Sequence, residues 1–158
     1  MFRELARKKQ QISMEECMQV LKTETRGVLS VLGDDDYPYG TPMNHWYEEE
    51  TGIIWFHCGK AGHRLDALKR HEKVSFCVYD RGFREEGQWA LKVKSVIVFG
   101  RMELVDDLET IVDVTTKLSH KFTQDDAYIQ KEIQQSAKGT LLLRLVPEHI
   151  CGKLVTEA

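Results

Sequence analysis

Three prolines in 158 residues, four cysteines with no C-x-x-C pair, and no aliphatic or aromatic run beyond four residues, as in Val96-Ile97-Val98-Phe99, exclude whole classes of protein. Collagen-like, proline-rich disordered and disulfide-scaffold chains fall away. A membrane-spanning helix needs about 20 consecutive apolar residues, so none is expected. Nor does one sign of charge dominate: 22 Lys and Arg stand against 25 Asp and Glu. Such a balance provides no global field for nucleic acid or an anionic membrane, and any bound anion must meet a local cluster. The basic N-terminus MFRELARKKQ is followed by neither an apolar segment nor a small-residue cleavage site. It therefore does not read as a secretory signal, and a cytoplasmic address with the cysteines as free thiols is expected.

What is present suits one domain over 1–158, because 42% of the residues are hydrophobic and a chain of this length buries roughly 70% of its unfolded surface. Ser13 followed by Glu16 is a capping box, and Met14, Cys17, Met18 and Leu21 recur at helical spacing. This predicts a helix over 14–23, with 1–12 as an N-terminal arm. Residues 27–32 read as a strand, Gly33-Asp34-Asp35-Asp36 as a turn and 37–47 as the returning strand. Pro38 and Pro42 cannot donate to a ladder, so that second strand must be an edge or bulged. Further strands are expected over 53–58, 74–79, 88–105 and 140–146. Helices are expected after Gly62, from Asp106 or Asp107 to Leu118, and from Asp125-Asp126 to Ser136. Six hairpin-linked strands leave little room for crossovers, which predicts a mainly β fold, a six-stranded antiparallel barrel with peripheral helices.

The segment Ile53-Ile54-Trp55-Phe56-His57-Cys58-Gly59-Lys60-Ala61-Gly62-His63-Arg64 carries the strongest local signal. A strand ends in a glycine-flanked loop that becomes a helix. Free N–H groups and the positive end of the helix dipole meet Lys60, His63 and Arg64 there, which suits a phosphate monoester. The same spacing also describes an ordinary strand-to-helix turn with solvated basic residues. It is not a Walker A loop, since G-x-x-x-x-G-K-[ST] is absent. His57 and Cys58 point to opposite faces of a strand, which argues against a shared zinc, and no metal is expected. His57 suits either a packed strand histidine or a proton donor. The proline-interrupted stretch Thr41-Pro42-Met43-Asn44 offers backbone groups and an amide to the edge of a planar heterocycle. Ser95 interrupts an apolar strand with a hydroxyl that needs a partner. No G-x-S-x-G or H-E-x-x-H supports a hydrolase.

In their order, GTPMNHWY at 40–47, IIWFHCGKAGHRLDALKRHEKVSFCVYD at 53–80, EGQWALKVKSVIVFGRMELVDD at 86–107 and PEHICGKLV at 147–155 resemble the pyridoxamine 5′-phosphate oxidase-like flavin-binding split-barrel family, specifically its nitroimidazole-resistance branch. The resemblance implies a six-stranded split β-barrel that forms a homodimer with one flavin in each of two clefts between subunits. It implies FMN, with FAD also compatible. Arg64 stands where the family usually has a lysine after Gly-His, and with Gly59, Lys60, Gly62, His63 and Ser95 it would hold the phosphate. Pro42, Met43 and Asn44 match the segment that meets the isoalloxazine edge, and Lys153 matches a Gly-Lys position that reaches the cofactor. Cys151 replaces the threonine common before that Gly-Lys. His57 matches a histidine near flavin and substrate. The implied activity is an FMN-dependent oxidoreductase acting on a small molecule such as a nitroaromatic or nitroimidazole. The alternative is a flavin-binding protein that stores or senses without turnover, and a haem-adapted barrel ranks below both.

Overall fold

The computed structural model describes residues 1–157. Helix α1 (Met14–Thr23) begins at the anticipated capping box: Ser13 N–H donates to Glu16 Oε2 at 3.0 Å and Glu16 N–H to Ser13 Oγ at 3.1 Å. Its buried face is Cys17, Val20 and Leu21. Strands β1 (Arg26–Leu32) and β2 (Pro38–Asn44) form a hairpin whose turn holds Asp35 and Asp36 at positive φ, which aspartate tolerates better than most residues. Then follow β3 (Trp46–Glu48), β4 (Ile53–Gly59), α2 (His63–Arg70), β5 (Lys73–Tyr79), β6 (Leu91–Val105), α3 (Leu108–Ser119), α4 (Asp126–Ser136) and β7 (Thr140–Glu157). Among the described residues, no helix is long and apolar enough to cross a membrane.

All strands pair antiparallel in one sheet of order β2-β1-β5-β6-β7-β4-β3. The sheet has seven strands rather than the six expected, because the stretch read as one strand over 37–47 breaks at His45. That residue is fully buried, and its N–H donates to Thr25 O at 3.3 Å. Its carbonyl accepts from the Lys121 ammonium at 2.7 Å. With its backbone engaged outside the ladder, the chain leaves β1 as its partner and takes up β4 instead. Since β2 and β3 are the two edges of the sheet yet follow each other in sequence, the sheet must curl until its edges meet at His45. The last strand is also longer than expected. It passes Pro147 at a bulge between Phe99 and Gly100 of β6, one of the few places a sheet accepts proline, and continues pairing to Glu157.

Two cores result. Inside the curl, Leu29, Phe56, Phe76, Val96, Val98, Leu143 and Leu145 pack with Leu21 of α1. On the outer side of β4 and β7, Trp55 and Leu142 pack against Ile111 and Val114 of α3 and Ile129 and Ile133 of α4. Ile53 to Phe56 are all buried because helices cover one face of β4 and the barrel interior the other.

Candidate functional site

The three-residue β3 pairs only with Ile53, Ile54 and Trp55, so its ladder stops short of 56–59, the far half of β4. The outer edge of β2 is likewise open, being the end of the sheet. The two free edges face each other along a seam, and two shallow cavities lie on it. One, of about 360 Å³, is lined by Arg26, Pro42, Met43, Asn44 and His57. The other, of about 200 Å³, is lined by Tyr39, Cys58, Gly59, Ala61, Gly62, His63, Arg64 and Leu65. The fold thus assembles the proline-interrupted segment with the strand-to-helix loop, although they lie far apart in the chain.

Helix α2 starts at Gly62 with φ of 131° and no side-chain cap. Glycine is needed there because that φ strains any residue with a Cβ. The first N–H groups of α2 have no intrahelical acceptor and carry the positive end of the helix dipole. Arg64 reaches across the seam: its Nε and Nη2 donate to Thr41 Oγ1 at 3.3 and 2.9 Å. It also lies beside the Cys58 thiol, which burial pushes up and Arg64 pulls back down. His63 is bound to the β1–β2 hairpin, with Asp34 N–H donating to its Nε2 at 3.3 Å and its ring against Tyr39 at 4.1 Å. An accepting Nε2 leaves the ring hydrogen on Nδ1. Lys60 pairs with Asp106 at 3.0 Å, an exposed contact that is worth little and exchanges readily. Uncapped N–H groups, a glycine at the rim and an arginine without a carboxylate fit a phosphate.

In the larger cavity, Asn44 Oδ1 accepts from Arg26 Nε at 3.0 Å, which turns the amide nitrogen of Asn44 outward as a donor. His57 lies on the outer face of β4, opposite Leu142. Its ring opens to the surface, yet the protein mass around it disfavours the charged form and holds its pKa below 6.5. Among the described residues no three His, Cys, Asp or Glu side chains gather as a metal site.

Ser95 and Lys153 are not brought to this seam. They pair with each other between β6 and β7, and two strands, β5 and β1, separate β6 from β2. Arg26 and the Thr41 hydroxyl were missed by the sequence reading. The hairpin register could have found Arg26: pairing outward from Leu32↔Pro38 places it opposite Asn44. Nothing local marks Thr41, because its partner Arg64 is 23 residues away.

The profile of the family described as pyridoxamine 5′-phosphate oxidase matches residues 13–154. No curated protein matches the chain. Among solved structures, a conserved hypothetical protein from Mycobacterium tuberculosis is similar with a TM-score of 0.78 and 19% identity, over 96% of this chain and 90% of that one. A proposed 5-nitroimidazole antibiotic resistance protein from Bacteroides thetaiotaomicron gives 0.74 and 16%, over 92% and 87%. An FAD-binding protein from Mesorhizobium loti gives 0.65 and 21%, over 92% and 96%. At these identities the likeness is one of fold.

Proposed function

Because the chain belongs to the pyridoxamine 5′-phosphate oxidase family, we propose that it binds FMN along the seam and works as an oxidoreductase on small nitroaromatic or nitroimidazole-type molecules. The observation that carries this reading is the seam itself, where an uncapped helix N-terminus with Arg64 lies end to end with a cavity bordered by Pro42, Met43, Asn44 and His57. A bound flavin supplies the electron and hydride transfer, which leaves the protein to bind, orient and tune.

Arg64 and the first N–H groups of α2 would take the phosphate, with Lys60 released from Asp106 and His63 offering Nδ1–H. Gly59 and Gly62 leave the rim open, since nothing lies within 4 Å of where a Cβ would stand at either. The Asn44 amide nitrogen would donate to an acceptor on the ring edge, beside Pro42 and Met43. Burial disfavours the charged form of His57, so it would serve as a hydrogen-bond donor to substrate rather than as a standing acid. FAD fits the same phosphate cradle, because the cradle contacts only the first phosphate.

A homodimer accommodates what one chain leaves apart. On the outer face of the sheet Cys77, Ile97 and Cys151 form a half-buried row across β5, β6 and β7, with Ser95 and Lys153 in the adjoining row. Docking a second copy on this face would bury that row and bring Ser95 and Lys153 towards the partner's seam. In the reducing cytoplasm, where the reading places the protein, its four free cysteines stay thiols.

The test is the absorption spectrum of the purified protein, heat release and chromatography of the chromophore, then reduction by NADH or NADPH and reoxidation by a nitro compound. Flavin bands with FMN released and nitro-dependent reoxidation are expected. Uptake of flavin without reduction would turn the reading into storage or sensing. A colourless protein that fails to quench added FMN fluorescence would remove it.

A further inference from the structure

Arg26 is the cation of the larger cavity, and beyond holding Asn44 its remaining donors have no task in the proposed function. It lines that cavity with Pro42, Met43, Asn44 and His57, and no acidic side chain is among them. Arg70, Arg101 and Arg144 each pair with a carboxylate, whereas Arg26 has none within 4.0 Å among the described residues. Its guanidinium is nevertheless oriented, because Nε donates to Asn44 Oδ1 at 3.0 Å. A guanidinium has two edges that grip a carboxylate with paired donors, one through Nε and a terminal nitrogen, the other through both terminal nitrogens. Asn44 occupies the first and leaves the second. Beside it stand Pro42 and Met43, which would border the flavin ring, so a flat molecule gripped by Arg26 would lie over that ring. Burial disfavours the charged form of His57, which leaves Arg26 as the cavity's main positive charge. An exposed cation held by one hydrogen bond and without a carboxylate partner, beside a planar cofactor, favours an anion with a planar body.

We propose that Arg26 is a specificity-determining residue that grips the carboxylate of the substrate, so that the site selects aromatic acids over neutral aromatics. This rests on the flavin reading of the same site and adds the charge and shape of what flavin would act on. Orientation by Asn44 lowers the ordering cost, so the acid should gain about tenfold in binding over its neutral isostere.

The test uses the flavin-loaded full chain and two isosteric pairs. Binding of para-aminobenzoate and para-aminobenzamide is read from the perturbation of the bound flavin's absorption, without turnover. Reduction of para-nitrobenzoate and para-nitrobenzamide is read as kcat/KM. The wild type should prefer both acids by about tenfold. Read on the flavin-saturated protein, because loss of the Arg26–Asn44 bond also loosens the amide that faces the flavin, Arg26→Gln should abolish the preference by weakening the acid alone, and Arg26→Lys should keep part of it. Equal binding of acid and amide by the wild type, which needs no variant, overturns the proposal. So does a preference that survives in Arg26→Gln. Failure of the wild type to take up flavin overturns the functional reading itself, an outcome distinct from these.

Discussion

Acid should destabilise this protein chiefly through His45. Its side chain is 0% exposed and its Nε2 lies 2.7 Å from Leu21 O, while its Nδ1 is buried with no partner. The neutral ring with hydrogen on Nε2 fits this place, and a second proton on Nδ1 would have no acceptor. Burial, and secondarily the Lys121 ammonium that caps the His45 and Glu24 carbonyls, lower its pKa from the ordinary 6.5 to about 4, against the opposing pull of the Leu21 carbonyl. Between these values the unfolded chain binds a proton that the folded chain refuses, so stability is full above 6.5 and falls as pH drops to about 4. At 1.36 kcal/mol per pH unit the loss is about 3 kcal/mol, a large part of a typical folding free energy. His57, lowered by burial, adds a loss of the same sign, and hydrogen bonds hold Glu16, Glu85 and Asp107 below the ordinary carboxylate range, so their protonation adds to it at lower pH. The comparison must therefore be with His45→Gln, which can still donate towards Leu21 O but cannot titrate. Urea unfolding of both proteins from about pH 7.5 down to about pH 4.5 should show the wild type losing stability faster, by a slope approaching one proton. Parallel profiles would refute the reasoning. Because His45 joins the two edges of the sheet, the same acid window should also loosen the seam and release flavin.

Arg64→Ala should weaken FMN binding by roughly 1.5–3 kcal/mol if its charged hydrogen bonds reach the phosphate, measured by fluorescence quenching, and unchanged affinity would remove Arg64 from the cradle. Gly100→Ala would drive a Cβ into the Val146 carbonyl oxygen. Backbone must move to relieve it, so a loss of about 3 kcal/mol in denaturant unfolding is expected, and a neutral substitution would mean that the bulge yields freely. Leu142→Ala, at a position 0% exposed between β4, β7 and the α3–α4 pair, should lose about 2–5 kcal/mol by the same assay, and a loss under 1 kcal/mol would mean that the second core collapses onto the cavity. FMN at about 100 times its dissociation constant should stabilise the fold by about 2.7 kcal/mol and raise Tm by about 5–10 °C, whereas an unmoved Tm would show that flavin does not bind the folded chain.

Much of this was legible in the chain because the signals are local. The Ser13-Glu16 box and the 3.6-residue spacing after it define α1, and the Gly33 turn with Pro38 and Pro42 identifies an edge strand. Glycines at 59 and 62 around Lys60, followed by His63 and Arg64, already describe a strand running into a helix N-terminus open to an anion. The seventh strand was not legible, since the break at His45 depends on Leu21, Thr25 and Lys121, which reach it from one helix and two loops. Nor was the length of β7, because Pro147 is tolerated only where the extra residue Glu148 makes a bulge opposite Phe99 and Gly100.

By itself, then, the sequence determined what depends on near neighbours: the caps, the periods, the turns, the class of fold, and the chemistry of the loop before α2. The tertiary structure alone decided which of those chemical groups meet. It set Thr41 under Arg64 and Arg26 beside Asn44, tied His63 to the hairpin, and held Ser95 and Lys153 away from the seam. Such pairings arise from strand register and from the curl of a sheet whose edges must close on one another, and these are properties of the whole chain that no short window contains.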